Sequence, residues 1–374
     1  MPQRSGFRSL PVMGLVVAAS TVALNPVRAD DRHRRDPPTP ITQRSLREIA
    51  QPIGLRVGTA VDMNALANDQ TYRDTIAREF SSVTAENVMK WETLEPQQDV
   101  FNYGPADQLI AFAGENRIAV RGHVLVWHNQ NPAWVNEQAF TPDQLRGILR
   151  EHVIETARHF KGKLYQWDVL NEALNDDGTL RDTIWLRSLG EGYIADVFRW
   201  ARSVDRNVKL FYNDFNLEFF GPKSDAAFAL VKHLLAEGVP IDGIGFQGHL
   251  GAQFGFDTRV QENMQRFADL GLDVSVTEAD VRMPLPTDAT KLQAQAAGFT
   301  HLLRACLLTR GCESFTVWGF SDKYSWVPGW FTGEGYATLY DVNLAPKPVL
   351  FDLQQDLRLA AGAARRPTTT TETH

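Results

Sequence analysis

Eight short apolar segments recur along this chain from about residue 54, and most of them end in polar or aromatic residues. They are GLRVGTA (54–60), FSSVTAEN (80–87), IAVRGHVLVWH (118–128), YQWDVLNE (165–172), KLFYNDFN (209–216), GIGFQGHL (243–250), LDVSVTEAD (272–280) and SFTVWGFSD (314–322). Stretches with apolar residues three and four positions apart lie between several of them, as expected when strands alternate with helices. In a chain of 374 residues, this alternation predicts an α/β fold, a single (β/α)8 TIM barrel.

An open, doubly wound sheet is the alternative fold, because the number of strands does not show whether the sheet closes. The two folds differ in where functional side chains collect, since a barrel gathers the C-terminal ends of all its strands around one mouth. Here those ends carry Glu86, Asn87, His123, Trp127, Asn171, Glu172, Asn213, Gln247, His249, Glu278, Asp280 and Trp318. Polar and aromatic side chains at so many strand ends favour the barrel.

Two helix boundaries are indicated by local sequence. Thr141 precedes Pro142 in the amphipathic segment 141–160, and this order predicts that Thr141 is the N-cap of a helix. The helix-like segment 224–238 closes with Gly238, a residue type that is common just after a helix.

The two ends of the chain differ from the repeating part. Residues 1–29 combine early arginines, a short apolar run and a final alanine, which predicts a signal peptide; an N-terminal membrane anchor is the alternative. Residues 30–44 predict a disordered linker, and residues 359–374 predict a disordered tail. The domain is therefore expected at 45–358, secreted or periplasmic, with no membrane contact after the signal is cleaved.

The charge of the chain narrows the choice of partner. A formal net charge of −7 argues against nucleic-acid binding, which requires basic surfaces that neutralise phosphates. The chain also contains nine Trp, and exposed indole rings offer flat faces on which sugars can pack. Because Trp is more often buried in a core, composition alone leaves the ligand open. No segment indicates a protein partner, so a monomer is expected.

Two strand ends carry a glutamate that a glycosidase could use. Glu172 ends the fourth predicted strand and Glu278 lies on the seventh. Hydrolysis with retention needs one carboxylic acid to protonate the leaving oxygen and a second carboxylate as nucleophile, roughly 5 to 5.5 Å away. A lone glutamate in either place would be interpreted as a solvated loop residue, but two at one barrel mouth favour a paired site.

Seven ordered motifs on separate predicted strands resemble those of the family-10 glycoside hydrolases, the endo-β-1,4-xylanases, over about residues 45 to 355. They are AENVMKWETLEP (85–96), RGHVLVWHNQNPAW (121–134), WDVLNEAL (167–174), LFYNDFN (210–216), IGFQGHL (244–250), VTEADVR (276–282) and FTVWGFSDKYSWVPG (315–329). The resemblance implies a retaining endo-β-1,4-xylanase that acts on xylan and xylo-oligosaccharides without a cofactor or a metal.

By this resemblance Glu172 is the general acid/base and Glu278 is the nucleophile. An ionised Glu278 would keep Glu172 protonated until the glycosyl-enzyme forms, after which Glu172 could ionise and activate water. His249 is expected to bind Glu278, and Asp280 is expected to orient the imidazole. Asn171 is expected to contact the sugar 2-hydroxyl.

The resemblance also implies the other substrate contacts. Asn213 and Gln247 are expected at the reacting sugar, Gln247 close to Glu278, although a purely structural amide is the alternative for Asn213. Sugars on the non-reducing side are expected to meet a clamp made of Glu86, Asn87 and Lys90. The reacting sugar is expected to be bordered by His123, Trp127, Trp318 and Trp326.

Xylose lacks the hydroxymethyl group of glucose, and the resemblance associates Gln130 and Trp326 with a wall that would exclude that group. The discrimination available from one such group is only about 1–3 kcal/mol, so weak activity on β-glucan or an aryl cellobioside is compatible with the prediction. For Trp91, Trp134 and Trp330 the sequence leaves core packing and cleft lining both open.

Cys306 and Cys312 are six positions apart, at a predicted helix end and the start of a strand. In an oxidising compartment they are expected to form a disulfide, with two free buried thiols as the alternative.

Three other functions remain as alternatives for the whole chain. They are a β-glucanase with the same glutamate pair, a secreted sugar-binding protein without catalysis, and a metal-dependent hydrolase using His123, His128 and His249. The last is disfavoured because these histidines do not form a recognisable ligand set.

Overall fold

The computed structural model describes residues 44–364. The strands are β1 (Arg56–Val61), β2 (Ser82–Ala85), β3 (Ala119–Val126), β4 (Gln166–Asn171), β5 (Lys209–Asp214), β6 (Gly243–Phe246), β7 (His249–Gly251), β8 (Asp273–Pro284), β9 (Cys312–Val317) and β10 (Glu334–Gly335). Parallel pairing runs from β1 through β6 to β8 and β9, and β9 pairs in parallel with β1. The sheet therefore closes, and the predicted (β/α)8 barrel is confirmed.

The sixth predicted strand is interrupted. Its first half is β6, and the second half is the separate strand β7, which pairs with β8 from His249 onward. Gly248 lies between the two halves with a φ of +78°, in the left-handed region where glycine is favoured. As a result His249 stands beside Asp280 on β8. β8 is also longer than predicted and carries β10 on its far end.

Helices follow the strands and cover the outside of the barrel. They are α1 (Leu46–Ala50), α2 (Met63–Asn68), α3 (Gln70–Glu79), α4 (Trp91–Leu94), α5 (Gly104–Glu115), α6 (Ala133–Glu137), α7 (Pro142–His159), α8 (Ile184–Leu189), α9 (Gly192–Val204), α10 (Pro222–Ala236), α11 (Val260–Ala268), α12 (Ala289–Leu308), α13 (Val327–Trp330) and α14 (Pro348–Ala364). Short 3-10 turns occupy Gln51–Ile53 and Asp322–Tyr324.

Local sequence explains the predicted helix ends. Thr141 is the N-cap of α7 and forms a capping box with Gln144, which satisfies backbone N–H groups that the first turn leaves free. Gly238 follows α10 with a φ of +66°. Both boundaries agree with the sequence-based prediction.

The barrel interior contains charge as well as apolar packing. Arg121 on β3 is fully buried and makes a bidentate ion pair with Asp168 on β4. Asp168 also contacts Nδ1 of His123 at 2.9 Å. Burial by itself would raise the pKa of Asp168, but the Arg121 charge and the His123 hydrogen bond hold it below its ordinary value. This network fixes His123 at the mouth of the barrel.

The C-terminal end of the described residues differs from the predicted start of the disordered tail. The tail was predicted to begin at 359, but α14 continues to Ala364, because Leu357 packs into the core and the alanines that follow have high helix propensity. The expected signal peptide (1–29), the linker up to residue 43 and the tail from 365 lie outside the described residues. No helix within residues 44–364 is long and apolar enough to cross a membrane.

The two cysteines form the predicted disulfide. Cys306, near the end of α12, is bonded to Cys312, the first residue of β9. The bond links a helix to the strand that follows it, across a tight turn at Gly311, whose φ is +86°.

Candidate active site

A cleft of about 580 Å³ opens at the C-terminal ends of the strands. It brings together thirteen of the side chains that the sequence predicts for catalysis and binding: Glu86, Asn87, Lys90, His123, Trp127, Gln130, Asn171, Glu172, Gln247, His249, Glu278, Trp318 and Trp326. Asn213 and Asp280 lie behind this surface and do not line the cleft. The strand ends thus converge on one site.

Glu278, on β8, is a buried carboxylate with two donors. Its Oε1 accepts a hydrogen bond from Asn213 Nδ2 at 2.7 Å, and its Oε2 accepts one from His249 Nε2 at 3.2 Å. Burial favours the protonated acid, but the hydrogen bond from His249 and the positive charges of His123 and His249 hold the pKa of Glu278 below its ordinary value. Glu278 is therefore ionised at neutral pH, as a nucleophile must be.

His249 is held in the charged form by its two carboxylate neighbours. Nδ1 lies 3.0 Å from Asp280 Oδ2, on the side away from Glu278. Burial would lower the pKa of His249, yet Asp280 and Glu278 raise it to about 10. The same Asp280 oxygen accepts a hydrogen bond of 2.8 Å from Trp326 Nε1. Asp280 therefore orients both a histidine and a tryptophan of the cleft.

Glu172, unlike Glu278, accepts its hydrogen bonds from uncharged side chains. Its Oε1 accepts hydrogen bonds from Gln247 Nε2 at 3.1 Å and Asn171 Nδ2 at 3.2 Å, and its Oε2 accepts one from Trp127 Nε1 at 2.9 Å. His128 Nδ1 is 3.8 Å from Oε2, and burial lowers the pKa of His128 below its ordinary value. The donors around Glu172 are thus uncharged, in contrast to the imidazolium on Glu278.

Amide side chains connect the two carboxylates. Asn213 Nδ2 donates to Asn171 Oδ1 at 2.8 Å as well as to Glu278. Its Oδ1 accepts a hydrogen bond from the Thr277 hydroxyl at 2.7 Å. The Asn213 side chain is fully buried and does not line the cleft, which favours the structural alternative over the expected substrate contact.

Gln247 also differs from the expectation. The resemblance implied that its side chain lies close to Glu278, but the side-chain amide donates to Glu172 and to Asn171 Oδ1. Only the backbone carbonyl of Gln247 meets Glu278, accepting its N–H at 2.8 Å. Side-chain direction at a strand end depends on the turn that follows, which motif matching does not describe.

Glu172 has a backbone conformation that is unusual for its residue type. Its φ is +55°, in the left-handed region that costs free energy for residues with a Cβ. The Glu172 N–H continues the sheet by donating to Asn213 O at 2.9 Å, and the Glu172 carbonyl accepts a hydrogen bond from Arg181 Nε at 2.9 Å. These contacts hold the strained residue in place and turn its carboxylate into the cleft.

The motif after β2 supplies a second charged group. Lys90 donates to Asn87 Oδ1 at 3.0 Å, and its ammonium lies 5.1 Å from the Trp127 ring centre. Burial lowers the pKa of Lys90, although Glu278 and Glu86 favour its charged form. Burial and the neighbouring Asp62 raise the pKa of Glu86 to about 7. These groups place hydrogen-bond donors and acceptors at the side of the cleft where the resemblance implies a clamp for sugars.

Aromatic side chains wall the other side of the site. Trp318 lies edge-on to His123, with ring centres 5.1 Å apart, and Trp326 lies 5.0 Å from the ring of His249. Of the three tryptophans left open by the sequence, Trp91 is buried and stacks on His152, and Trp134 is half-buried beside it. Trp330 lines the cleft and is 69% exposed.

The comparisons with known proteins agree with this geometry. The family model described as Glycosyl hydrolase family 10 matches residues 45–355. The chain belongs to glycosyl hydrolase family 10. Endo-1,4-beta-xylanase B of Thermotoga neapolitana is 39% identical over 313 residues, which are 83% of this chain and 90% of that relative. Endo-1,4-beta-xylanase A of Fusarium oxysporum f. sp. lycopersici is 41% identical over 78% of this chain and 91% of its own length.

Solved structures of family-10 proteins share the fold. Xylanase 10B from Thermotoga petrophila RKU-1, crystallised in complex with xylobiose, superposes with a TM-score of 0.83 at 39% identity, covering 85% of this chain and 98% of that one. The native xylanase 10B from Thermotoga maritima gives the same TM-score and identity. The predicted family membership is confirmed, and with it the class of enzyme, a glycoside hydrolase.

Sequence reasoning considered His128 only as a metal ligand, and it missed six other side chains of this family-10 cleft: Asn129, Arg181, Phe215, Asn216, Arg282 and Phe331. Most of them lie inside the quoted motifs, within a few positions of a predicted site residue, so proximity in sequence was the available signal. Arg181 had none, because it lies in an irregular loop, where it lines the cleft and donates to the Glu172 carbonyl.

The histidines of the cleft have separate partners. His123 contacts Asp168, His249 contacts Asp280 and Glu278, and His128 lies near Glu172. Within the described part of the chain, no group of three or more His, Cys, Asp or Glu side chains has a geometry that could hold a metal ion. The site offers carboxylates and amides for its chemistry.

Proposed function

We propose that this protein is a retaining endo-β-1,4-xylanase in which Glu172 is the general acid/base and Glu278 is the nucleophile. The observation that carries the proposal is the difference between the two carboxylate environments. Glu278 is paired with a charged imidazole, which keeps it ionised, whereas the hydrogen-bond donors to Glu172 are neutral side chains. An acid and a nucleophile need carboxyl groups in different environments, and these two glutamates have them.

The first step follows from this asymmetry. A Glu278 carboxylate oxygen attacks the anomeric carbon while Glu172 gives its proton to the leaving glycosidic oxygen, so one C–O bond forms as another breaks. The sugar is then an ester of Glu278, and the negative charge beside Glu172 is gone. Asn171 lies next to Glu172 with an amide aimed into the cleft, where it can donate to the sugar 2-hydroxyl.

The second step reverses the roles. Glu172, now ionised, removes a proton from a water molecule, whose oxygen bonds to the anomeric carbon as the ester bond to Glu278 breaks. The imidazolium of His249 stabilises the carboxylate that is released. Two inversions at one carbon give net retention of the β-configuration.

Xylan and xylo-oligosaccharides are the proposed substrates, because the relatives at about 40% identity are named endo-1,4-beta-xylanases. In the cleft Gln130 donates to Glu92 at 2.7 Å and Trp326 donates to Asp280. Both side chains are thus held by carboxylates, and such fixed walls can exclude the extra hydroxymethyl group of glucose. The available discrimination is about 1–3 kcal/mol.

The test is proton NMR of the first products released from soluble xylan. A β-anomer signal before mutarotation is the expected result, and an α-anomer first would contradict both retention and the role of Glu278. Hydrolysis of β-glucan at a rate equal to or above that on xylan would instead favour a β-glucanase. The silent sugar-binding alternative predicts no product from either polymer.

We also propose that the protein is exported, on the basis of the signal pattern in residues 1–29 and of the Cys306–Cys312 disulfide, which is typical of oxidising compartments. The full chain and a chain starting at residue 30 should be expressed in a secreting host. Activity outside the cytoplasm for the full chain only is expected, and equal cytoplasmic retention of both would contradict export.

A further inference from the structure

Gln247 and His249 stand on either side of a single glycine, and each contacts a different carboxylate of the site. Gln247 Nε2 is 3.1 Å from Glu172 Oε1, and His249 Nε2 is 3.2 Å from Glu278 Oε2. The path of the backbone through Gly248 therefore sets the position of a donor to each glutamate at the same time.

The turn at Gly248 has little freedom to adjust. Its φ of +78° is in the left-handed region, and an added Cβ would lie 3.1 Å from Leu302 Cδ1 and 3.4 Å from Ala279 Cα. Immediately before it, β6 leaves the barrel wall; immediately after it, β7 pairs with β8. A backbone contact that fixes this peptide unit would fix both donors.

Glu218 provides such a contact. Its side chain comes from the segment after β5, is 1% exposed, and accepts the Gly248 N–H on Oε1 at 2.6 Å. Residues 44–364 contain no ion pair that involves Glu218, so no salt bridge compensates the burial of its carboxyl group. Burial raises the pKa of Glu218, while N–H donors and the positive charge of His249 oppose that rise. Burying a carboxyl group without an ion pair lowers the free energy of unfolding. A functional role for Glu218 would explain why this cost is tolerated.

We propose that Glu218 is a positioning residue for the reaction: by holding the Gly248 N–H it directs Gln247 toward Glu172 and His249 toward Glu278. The proposal rests on the proposed function of those two glutamates. It assigns to one carboxyl group, outside the cleft lining, an effect on both halves of the catalytic pair. The alternative is a buried carboxyl group that contributes only to stability.

Two conservative variants distinguish the effect of the acceptor oxygen's position at residue 218 from the effect of the side-chain charge. Glu218→Asp keeps the charge but withdraws the acceptor by one methylene, whereas Glu218→Gln keeps an oxygen at the same reach without the charge. Glu79→Asp is the matched control, since Glu79 is also buried and accepts a backbone N–H, from Leu46 at 2.9 Å, far from the cleft. Initial rates are measured on soluble xylan and on an aryl β-cellobioside, well below the midpoint of thermal unfolding of each variant.

Displacing catalytic groups by a fraction of an ångström to 1 Å costs up to about 100-fold in rate. We expect kcat of Glu218→Asp to fall about 10- to 100-fold with KM within about threefold of the parent, and kcat of Glu218→Gln to fall less than about fivefold. Glu79→Asp should lower the unfolding midpoint but keep kcat within about twofold. A Glu218→Asp enzyme with the kcat of the parent, or equal losses in Glu218→Asp and Glu218→Gln, would overturn the proposal.

A readout independent of turnover completes the test. In amide and side-chain NMR spectra, the Gly248 N–H, the Gln247 side-chain amide and the His249 ring should move together in Glu218→Asp and stay near the parent positions in Glu218→Gln. Unchanged Gln247 and His249 resonances in Glu218→Asp would overturn the positioning role by themselves. If instead the parent releases nothing from xylan, the proposed function fails, while the spectra still decide the role of Glu218.

Discussion

Asn213 donates a 2.7 Å hydrogen bond to Glu278 from a side chain that has no exposed surface. Its second bond, to Asn171 Oδ1, ties that donor to the residue beside Glu172. The contact is to a charged group, and hydrogen bonds of that kind are worth about 1.5–3 kcal/mol. We therefore expect Asn213 to influence the reaction through Glu278, without touching the substrate.

Replacing Asn213 with alanine should reduce kcat by roughly 10- to 150-fold, the rate equivalent of that free energy, with a small change in KM. Steady-state kinetics on xylan would measure this. Gln354→Ala is the control, because Gln354 is a buried amide on α14 that donates to Arg44 O, away from the cleft. A larger rise in KM than fall in kcat would contradict the positioning role.

The loss of hydrolysis rate in Glu172→Gln should depend on the leaving group of the substrate. Loss of general acid catalysis costs about 10² to 10⁴-fold on xylan, whose leaving group needs a proton. An aryl xylobioside with a strongly acidic phenol should lose far less in its first step, so a burst of phenol should precede slow turnover. Stopped-flow absorbance would detect the burst.

The matching change at the other carboxylate, Glu278→Gln, should give no burst with either substrate, because no ester can form. A burst from Glu278→Gln together with none from Glu172→Gln would mean that the two roles are exchanged. Added azide should restore turnover of Glu172→Gln through a β-glycosyl azide, since the small anion needs no general base.

His249 should make stability fall as pH rises above neutrality. The pKa of His249 in the folded protein is raised to about 10 by Asp280 and Glu278, whereas an unfolded histidine has an ordinary pKa near 6.5. The stabilisation of the fold by protonated His249 is therefore complete below about pH 6.5. It is lost as pH rises toward 10, at no more than about 1.4 kcal/mol per pH unit. Urea unfolding of the parent and of His249→Asn at pH 6 to 9.5 would measure the difference. Parallel pH profiles for the two proteins would refute the assignment.

Trp330 should contribute to binding of longer substrates. It lines the cleft beside Trp326, with ring centres 6.3 Å apart, and most of its surface is exposed. Truncating an aromatic contact of this type costs about 1 kcal/mol, or roughly fivefold. We expect Trp330→Ala to lower kcat/KM on xylohexaose and xylan by about three- to tenfold, with a smaller loss on xylotriose.

The controls for this prediction are Trp330→Phe, which keeps a flat ring, and Phe351→Ala, an exposed aromatic on α14 outside the cleft. Both should stay close to the parent. A loss of the same size at every chain length would indicate that Trp330 acts on the reacting sugar itself.

The disulfide should stabilise the fold without affecting turnover. On the chain-entropy model a loop between residues 306 and 312 contributes roughly 2 kcal/mol. Cys306→Ser with Cys312→Ser should lower the free energy of unfolding by that amount, measured by guanidinium titration, and leave kcat within about twofold because neither residue lines the cleft. Equal unfolding free energies before and after reduction of the parent would contradict the estimate.

Most of the site was predictable because its residues lie within short motifs. Glu278, His249 and Asp280 stand where the motifs indicate, and hydrogen bonds join them in the expected order. Gln247 was expected at Glu278 but donates to Glu172, since the interruption of the sixth strand turns its side chain and no local pattern announces that interruption.

The amino-acid sequence by itself determined the alternation of strands and helices, the positions of the two glutamates and the family, because each of these depends on residues close together in the chain. Tertiary structure alone decided which donors serve each carboxylate. Trp127 reaches Glu172 across 45 positions, Asn213 reaches Glu278 across 65, and Glu218 reaches Gly248 across 30. Closure of the barrel brings such distant segments side by side, and the protonation states follow from those contacts and from burial, neither of which exists in the unfolded chain.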